Sequence, residues 1–370
     1  MKDKDDVERR LEMDTSTWER IVKYTELQGT SGQEFMVRKA FRQDLTPLVD
    51  EVVQNGLGGL YGIRENNDEK APRIMFGAHF DEVGFIVKAV TDLGLLEVKP
   101  LGGWNPFVVS AQRFTLFTRE QSYPVISSSI PPHLLRNQSG VNGAPNLDDI
   151  LFDGGFTSKS EALEFGVRPG DFIVPQVKTE LLANQKRVIS KSWDNRFGLV
   201  TILDVLDKLQ DQTLPNTLMM GANVQEEVGL RGVGPAVHQL KPDIFFGLDS
   251  STADDLNSST GQGQLDQGTI LRVMDPGVIM PRRLKEFILD IANDEKIPLQ
   301  YFVPNGGTDS AGAQSQNNGI PSVTLGVASR YIHTHQTLWS IADFEAAKSL
   351  VERLILQLDA ATVNDIIYGD

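Results

Sequence analysis

This chain of 370 residues predicts an α/β fold: a largely parallel sheet covered by helices on both faces, with a small β domain inserted into it. Three observations predict it. Apolar runs of strand length alternate with helically spaced apolar residues. Several of those runs stop at a His or a carboxylate. A central stretch, about 86–187, has short β-rich pieces and turn signals where the flanks have helices.

The elements follow in order. Ser16-Thr17-Trp18-Glu19 has Ser and Glu at capping-box spacing, so a helix with Trp18, Ile21, Val22 and Leu27 is expected to open there. Gly29-Thr30-Ser31-Gly32 breaks it, and a second helix follows. Arg73 to Ala78 reads as a strand ending at His79. Gly102-Gly103 and Arg168-Pro169-Gly170-Asp171 are turns of the inserted piece. After Asp194-Asn195-Arg196-Phe197-Gly198, the residues Leu199, Ile202, Leu203, Leu206 and Leu209 keep helical spacing. Leu218 to Ala222 is a buried strand leading into Glu226-Glu227. Ile244 to Leu248 is another, ending at Asp249, and Ser322 to Val327 runs toward His333. A closing helix has Phe344, Ala347, Val351, Leu354 and Leu358 on one face, with Ser340 and Asp343 at its start. The expected division is 15–85 and 188–360 for one catalytic unit and 86–187 for the insert.

Composition narrows the function. A formal net charge of −15 argues against nucleic acid or an anionic membrane as partner, because both need clustered basic side chains. With 0 cysteines, thiol nucleophiles and thiolate metal sites are excluded, so any metal must be held by nitrogen and oxygen. No run of apolar residues is long enough to span a bilayer, and residues 1–10 lack the apolar core of a secretory signal. A cytoplasmic protein with a solvated amino-terminal lead-in is expected.

The chemistry points to Glu226-Glu227. Two adjacent carboxylates beyond a strand repel each other and need nearby positive charge, yet no Lys or Arg closely precedes them and Arg231 lies beyond the turn. His79, Asp249 and His333 also sit just past predicted strands, where open α/β sheets gather ligands, and Asp194 sits where a β segment turns into a helix. Singly, each has an ordinary reading: a hydrogen-bonding His, a helix cap, an exposed turn. Together they have one shared cause. Two imidazoles and several carboxylates suit zinc, cobalt or manganese. The set exceeds what one ion needs and fits two ions about 3.5–4 Å apart, an arrangement that lowers the pKa of bound water from about 15.7 toward about 7.

Four motifs carry a resemblance: His79-Phe80-Asp81-Glu82-Val83-Gly84-Phe85, Trp193-Asp194-Asn195-Arg196-Phe197-Gly198, Val224-Gln225-Glu226-Glu227-Val228-Gly229-Leu230-Arg231-Gly232 and Arg330-Tyr331-Ile332-His333. In that order they resemble the M42 metallo-aminopeptidases, and Gly102-Gly103-Trp104-Asn105-Pro106 and His335-Gln336-Thr337-Leu338 look most like the glutamyl aminopeptidases among them. The resemblance implies a zinc-peptidase-like mixed sheet sandwiched by helices, with a PDZ-like insert that mediates dimerisation, and dimers assembling into dodecamers. It implies Asp194 as a bridge between two ions, His79 and Asp249 completing one, and Glu227 and His333 completing the other. Glu226 would be the general base, and Asp81 would orient His79. His335 is left unassigned, and His133 and His238 are expected to be structural or exposed.

The implied reaction is hydrolysis of the first peptide bond of a peptide, with preference for amino-terminal Glu or Asp. Arg272, at the end of a predicted strand, is the candidate cation for that side chain; Arg282 and Arg283 carry less weight. The Gly306-to-Gly312 loop is expected to line the site without a chemical step. Rival readings are a broad or neutral-residue (Leu-type) aminopeptidase or a deacylase on the same fold, a glycoside hydrolase using Glu226 and Glu227, and a metal-free assembly or binding protein. The glycosidase reading leaves both His residues idle.

Overall fold

Alternation along two neighbouring strands explains why this sheet is covered twice. In the computed structural model, which describes residues 13–130, 146–256 and 261–369, Arg73–His79 and Thr217–Asn223 pair in parallel and are buried almost end to end. Ile74, Phe76, Leu218 and Met220 point into one core, with the helices Thr15–Glu26, Phe35–Leu45, Trp193–Lys208 and Ile341–Gln357. Met75 and Met219 point the other way, toward Val233–Leu240 and Asp309–Gln314. The larger core includes Trp193 stacked on Trp339 at 3.7 Å between ring centroids, with Phe344 edge-on to both.

Among the described residues the sheet has 11 strands and is mixed. Its centre is parallel, in the order Thr217–Asn223, Arg73–His79, Ile244–Thr252, Ser322–Arg330. Leu60–Arg64 and Glu51–Gln54 extend one side, and Thr337–Ser340, Arg187–Ser190 and Glu180–Leu181 the other, all antiparallel. Thr269–Arg272 also pairs antiparallel with Ser322–Arg330 and carries Leu299–Phe302 beside it. The expectation of a largely parallel sheet therefore holds for the centre only, because hairpin-like returns build the flanks.

Between the two portions of this sheet, Gly84–Val90, Leu96–Leu101, Leu151–Asp153, Ser122–Ser127, Arg113–Phe117 and Phe172–Pro175 close into a barrel. Phe85, Trp104, Phe114 and Phe152 fill it. Closure removes free strand edges.

Two local expectations need correction. The first helix begins at Thr15, and the carbonyl of Asp14 takes its first bond from Trp18 N, so Ser16 lies inside the first turn and cannot cap it. That helix buries Thr17, Ile21, Tyr24 and Thr25, while Trp18, Val22 and Leu27 are only partly covered. Asp249 does not end its strand: pairing with Ser322–Arg330 continues through Thr252, so Asp249 is held within a ladder. Residues 1–10 and His133 lie outside the described residues. No helix among the described residues is long and apolar enough to cross a membrane.

Candidate metal centre and active-site cleft

His79 ends its strand with its side chain 2 % exposed. Its Nδ1 donates to the Asp81 carbonyl at 3.0 Å, which leaves Nε2 as a bare acceptor facing the cleft. Around Nε2 stand Asp194 Oδ1 at 3.1 Å, Asp249 Oδ1 at 3.8 Å and Glu226 Oε2 at 3.9 Å. His333 repeats the arrangement from the other side. Its Nδ1 donates to the Gly103 carbonyl at 2.8 Å, and its Nε2 faces Asp194 Oδ2 at 3.2 Å and Glu227 Oε2 at 3.4 Å. Asp194 thus offers one oxygen to each imidazole. The donor atoms of His79, Glu226 and Asp249 all lie within 4.8 Å of one another, as do those of Asp194, Glu227 and His333.

This geometry is repulsive without positive charge. Lone pairs of nitrogen and oxygen face each other at contact distance, so protons or cations must lie between them. Burial, then the charge of Asp194, pushes Glu227 up to about 8 despite His333. Burial also raises Glu226 and Asp249, each further pressed by neighbouring carboxylates. Burial opposes protonation of His333, yet Glu227 and Asp194 push it up to about 10, and carboxylates likewise hold His79 well above its ordinary range. Asp194, beside both imidazoles, is driven down against its burial. A buried oxygen of Glu227, Oε1, has no hydrogen-bond partner. A hard or borderline divalent cation in each group fits this donor set of imidazole nitrogen and carboxylate oxygen.

Supporting groups hold the cluster. Asp81, fully buried, accepts from Ser31 Oγ at 2.6 Å and from the backbone N–H groups of Glu226 and Glu227 at 3.1 and 3.2 Å. Burial works against its ionisation, but His79, Ser31 and Glu226 N hold it below the usual carboxylate range. Glu82 accepts from Lys191 Nζ at 2.6 and 2.8 Å, with Arg196 at 3.5 Å, tying the end of the His79 strand to the entry of the Asp194 helix. Arg196 also donates to the carbonyls of Phe80 and Gly29. Ser192, Gln225, Tyr331 and His333 all have left-handed φ, a cost of about 1–3 kcal/mol each that the surroundings must override. The Asp194–Asn195 peptide is cis.

The cluster opens into a cleft of ≈ 940 Å³ lined by Gly103 and Asp254, by Phe302 through Gly307, and by Arg272. Arg272, 7 % exposed, donates to Ser251 Oγ and to the carbonyls of Ser250 and Gly306. No carboxylate lies within ion-pair distance of it among the described residues, and it is the one Lys or Arg among the residues lining the cleft. Arg282 and Arg283 pair with Glu286 and do not line the cleft.

Several participants escaped the sequence reading. Ser31 looked like part of a helix-breaking turn, and Gly103 acts through its carbonyl, which no side-chain pattern reveals. The expected Gly306-to-Gly312 loop is a loop only as far as Thr308, because Asp309 opens the helix Asp309–Gln314. Asp309 is buried and joined to Asn223 Nδ2 at 2.8 Å, with Tyr61 on the far side of Asn223, and burial pushes it up to about 7. His335 is buried with its Nε2 2.6 Å from the Arg113 carbonyl, and burial pushes it down to about 4. His238 is exposed, near Asn317.

Known proteins share this architecture. A family model described as M42 glutamyl aminopeptidase matches residues 58–350. The chain is 46 % identical over 350 residues to a glutamyl aminopeptidase of Lactococcus lactis subsp. cremoris, covering 94 % of this chain and 98 % of that protein. A TET aminopeptidase from a marine-sediment Thaumarchaeota archaeon superposes with a TM-score of 0.91 at 35 % identity, over 95 % of this chain and 99 % of that one. The TET1 peptidase of Pyrococcus horikoshii, described as able to assemble into a tetrahedron or a large octahedral shell, superposes with a TM-score of 0.84 at 27 % identity, over 92 % and 100 % of the two chains.

Proposed function

Because the chain belongs to the M42 glutamyl aminopeptidase family, and so to the hydrolases that act on peptides, we propose that it removes amino-terminal Glu or Asp with the aid of two divalent ions. The observation that carries this reading is Asp194, whose two oxygens address His79 and His333 separately. His79 and Asp249 would hold one ion and Glu227 and His333 the other, with Asp194 offering an oxygen to each group; zinc or cobalt would suit these donors. When bound, the ions polarise the scissile carbonyl and acidify the attacking water.

The chain's own residues do the rest. Glu226, whose Oε2 faces the same space as His79 Nε2, takes a proton from the attacking water and returns it to the leaving amine nitrogen. Asp81 fixes the backbone of Glu226 and Glu227 while its carbonyl orients His79. Arg272 takes the carboxylate of the substrate's first side chain. It lines the cleft with no carboxylate in direct contact, only the charge of nearby Asp249 acting on it, so its guanidinium is open to a bidentate bond from a substrate carboxylate.

The barrel of Gly84–Pro175 supports an inserted PDZ-like domain within one catalytic unit, with bounds narrower than the expected 86–187. Gly84 and Phe85 already belong to the barrel, while Glu180–Leu181 and Arg187–Ser190 pair within the large sheet, so the insert is proposed at 84–175. By likeness to the TET peptidases, a closed dodecamer with inward-facing sites is the proposed assembly, to be weighed by light scattering. The deciding experiment measures metal content and turnover of amino-terminal Glu, Asp, Leu and Lys substrates, with zinc, cobalt and manganese, before and after a strong chelator. Activity that survives the chelator, or equal turnover of all four substrates, overturns the corresponding part of the reading.

A further inference from the structure

We propose that His335 is a positioning residue that docks the barrel onto the 331–336 turn and so holds His333 in its metal-facing orientation. This rests on the metal reading above for its consequence, though not for its geometry.

The 331–336 turn is conformationally costly. Tyr331 and His333 both have left-handed φ, of 63° and 56°. Thr334 Oγ1 ties the turn internally, to the carbonyls of Tyr331 and Gln336, but that leaves its placement over the barrel undetermined. Two contacts supply it. His333 Nδ1 donates to Gly103, and His335 Nε2 donates to Arg113 at 2.6 Å, each reaching a backbone carbonyl of the barrel. The two contacts are joined through the barrel's own core. The His335 ring stands edge-on to Phe114, with centroids 4.5 Å apart, and Phe114 lies 6.1 Å from Trp104, the neighbour of Gly103. Trp104 is itself fixed by donating Nε1–H to the Gly84 carbonyl. The circuit His333, Gly103, Trp104, Phe114, His335 therefore closes on itself. A buried His making one hydrogen bond at its full depth, with Nδ1 unpartnered, is an expensive choice for a residue that only fills space.

Loss of His335 frees the Gly103 carbonyl to drift and loosens the orientation of the His333 ring. Partners behind a metal-bound His govern affinity by about 10–100-fold. The test compares wild type with His335→Ala, His335→Gln and His335→Phe as full chains, by Zn²⁺ titration against a chromophoric competitor and by deuterium uptake over residues 101–117. The expected result for His335→Ala is about 10–100-fold weaker binding of the ion at Glu227 and His333, that at His79 and Asp249 unchanged, and faster uptake over 101–117 with or without Zn²⁺. His335→Gln, which can still donate to Arg113, should recover most of both. His335→Phe keeps the ring on Phe114 without the donor and should fall between, so it carries the test if His335→Ala does not fold. Two ions bound as in wild type and unchanged uptake in both His335→Ala and His335→Phe overturn the proposal. A wild type that takes up no Zn²⁺ removes the metal reading instead, and uptake over 101–117 then decides the docking role.

Discussion

Replacing Asp81 by Asn is the most informative single change, because one carboxylate serves three residues of the site. Its Oδ1 accepts from Glu226 N and faces His79 Nδ1 at 3.4 Å, while Oδ2 accepts from Ser31 Oγ and Glu227 N. An Asn side chain has one acceptor and one donor group. Whichever way it turns, its NH₂ meets a backbone N–H, of Glu226 or of Glu227, and that N–H loses its partner. The hydroxyl of Ser31 can rotate; the amides cannot. An unsatisfied buried donor costs about 1–3 kcal/mol, and hydrogen bonds to a charged acceptor are worth about 1.5–3 kcal/mol. A loss of about 2–4 kcal/mol in stability is expected, read by guanidinium unfolding of metal-free protein. The same displacement moves the backbone of a proposed base and a proposed ligand, so metal affinity or kcat/KM should fall about 10–100-fold. Wild-type metal affinity and kcat/KM in folded Asp81→Asn would refute the reasoning, since they would mean that the carboxylate does not organise the Glu226-Glu227 turn.

Three further outcomes follow from the same geometry. Glu226→Gln should keep both ions by elemental analysis while kcat drops about 10²–10⁴-fold; retained turnover in metal-replete protein would remove Glu226 as base. Arg272→Ala should depress kcat/KM for amino-terminal Glu far more than for Leu, and a wild-type Glu-to-Leu ratio would assign the guanidinium to structure alone. Lys191→Met should cost about 3 kcal/mol in unfolding experiments near neutral pH, because it strands the buried Glu82 carboxylate with only the more distant Arg196. The pH dependence has a definite sign: burial, outweighing Glu82, lowers Lys191 to about 8, against about 10.4 in an unfolded chain. Between those values the unfolded state holds a proton that the native state has released, so the stability of wild type relative to Lys191→Met should rise with pH from about 8 to about 10.4. A difference that is flat or falls across that window would contradict the assignment.

What the sequence made legible was the ends of strands. Apolar runs stopping at His79 and near Glu226 and His333 are local signals, and parallel pairing brings such ends together without further information. Asp249 was legible as a candidate and misplaced as a terminus, because continuation of its strand depends on Ser322–Arg330, a partner far along the chain. Ser16 had the spacing of a capping box, but cap choice is settled by where the backbone turns, and it turns at Asp14. Ser31, Gly103 and His335 were not legible as participants for a common reason: each acts through a contact fifty or more residues away, to Asp81, His333 and Arg113. That Arg272 has no carboxylate in direct contact was equally invisible, since it depends on how far the nearest acids stand in the folded chain.

The position of the barrel explains why so much of the support is long-range. The chain leaves the sheet after His79, builds the barrel between Gly84 and Pro175, and returns in time to place Asp194 opposite His79. Insertion at that point separates two proposed ligands by 115 positions, yet their side chains end 3.1 Å apart. Loop closure over such a length is costly for a flexible chain, and a folded insert lessens the cost only if its two ends emerge close together. Glu82, just before the barrel, and Lys191, just after the strand Arg187–Ser190, meet in a buried ion pair at that neck. The pair lies where a slackened neck would part His79 from Asp194. Its burial is unfavourable taken alone, as the lowered Lys191 shows, so its retention makes sense as registry between the two halves of the site. Gly103 extends the same logic outward: the barrel that the neck holds returns a carbonyl to His333, so the insert takes part in shaping the site that its insertion divides.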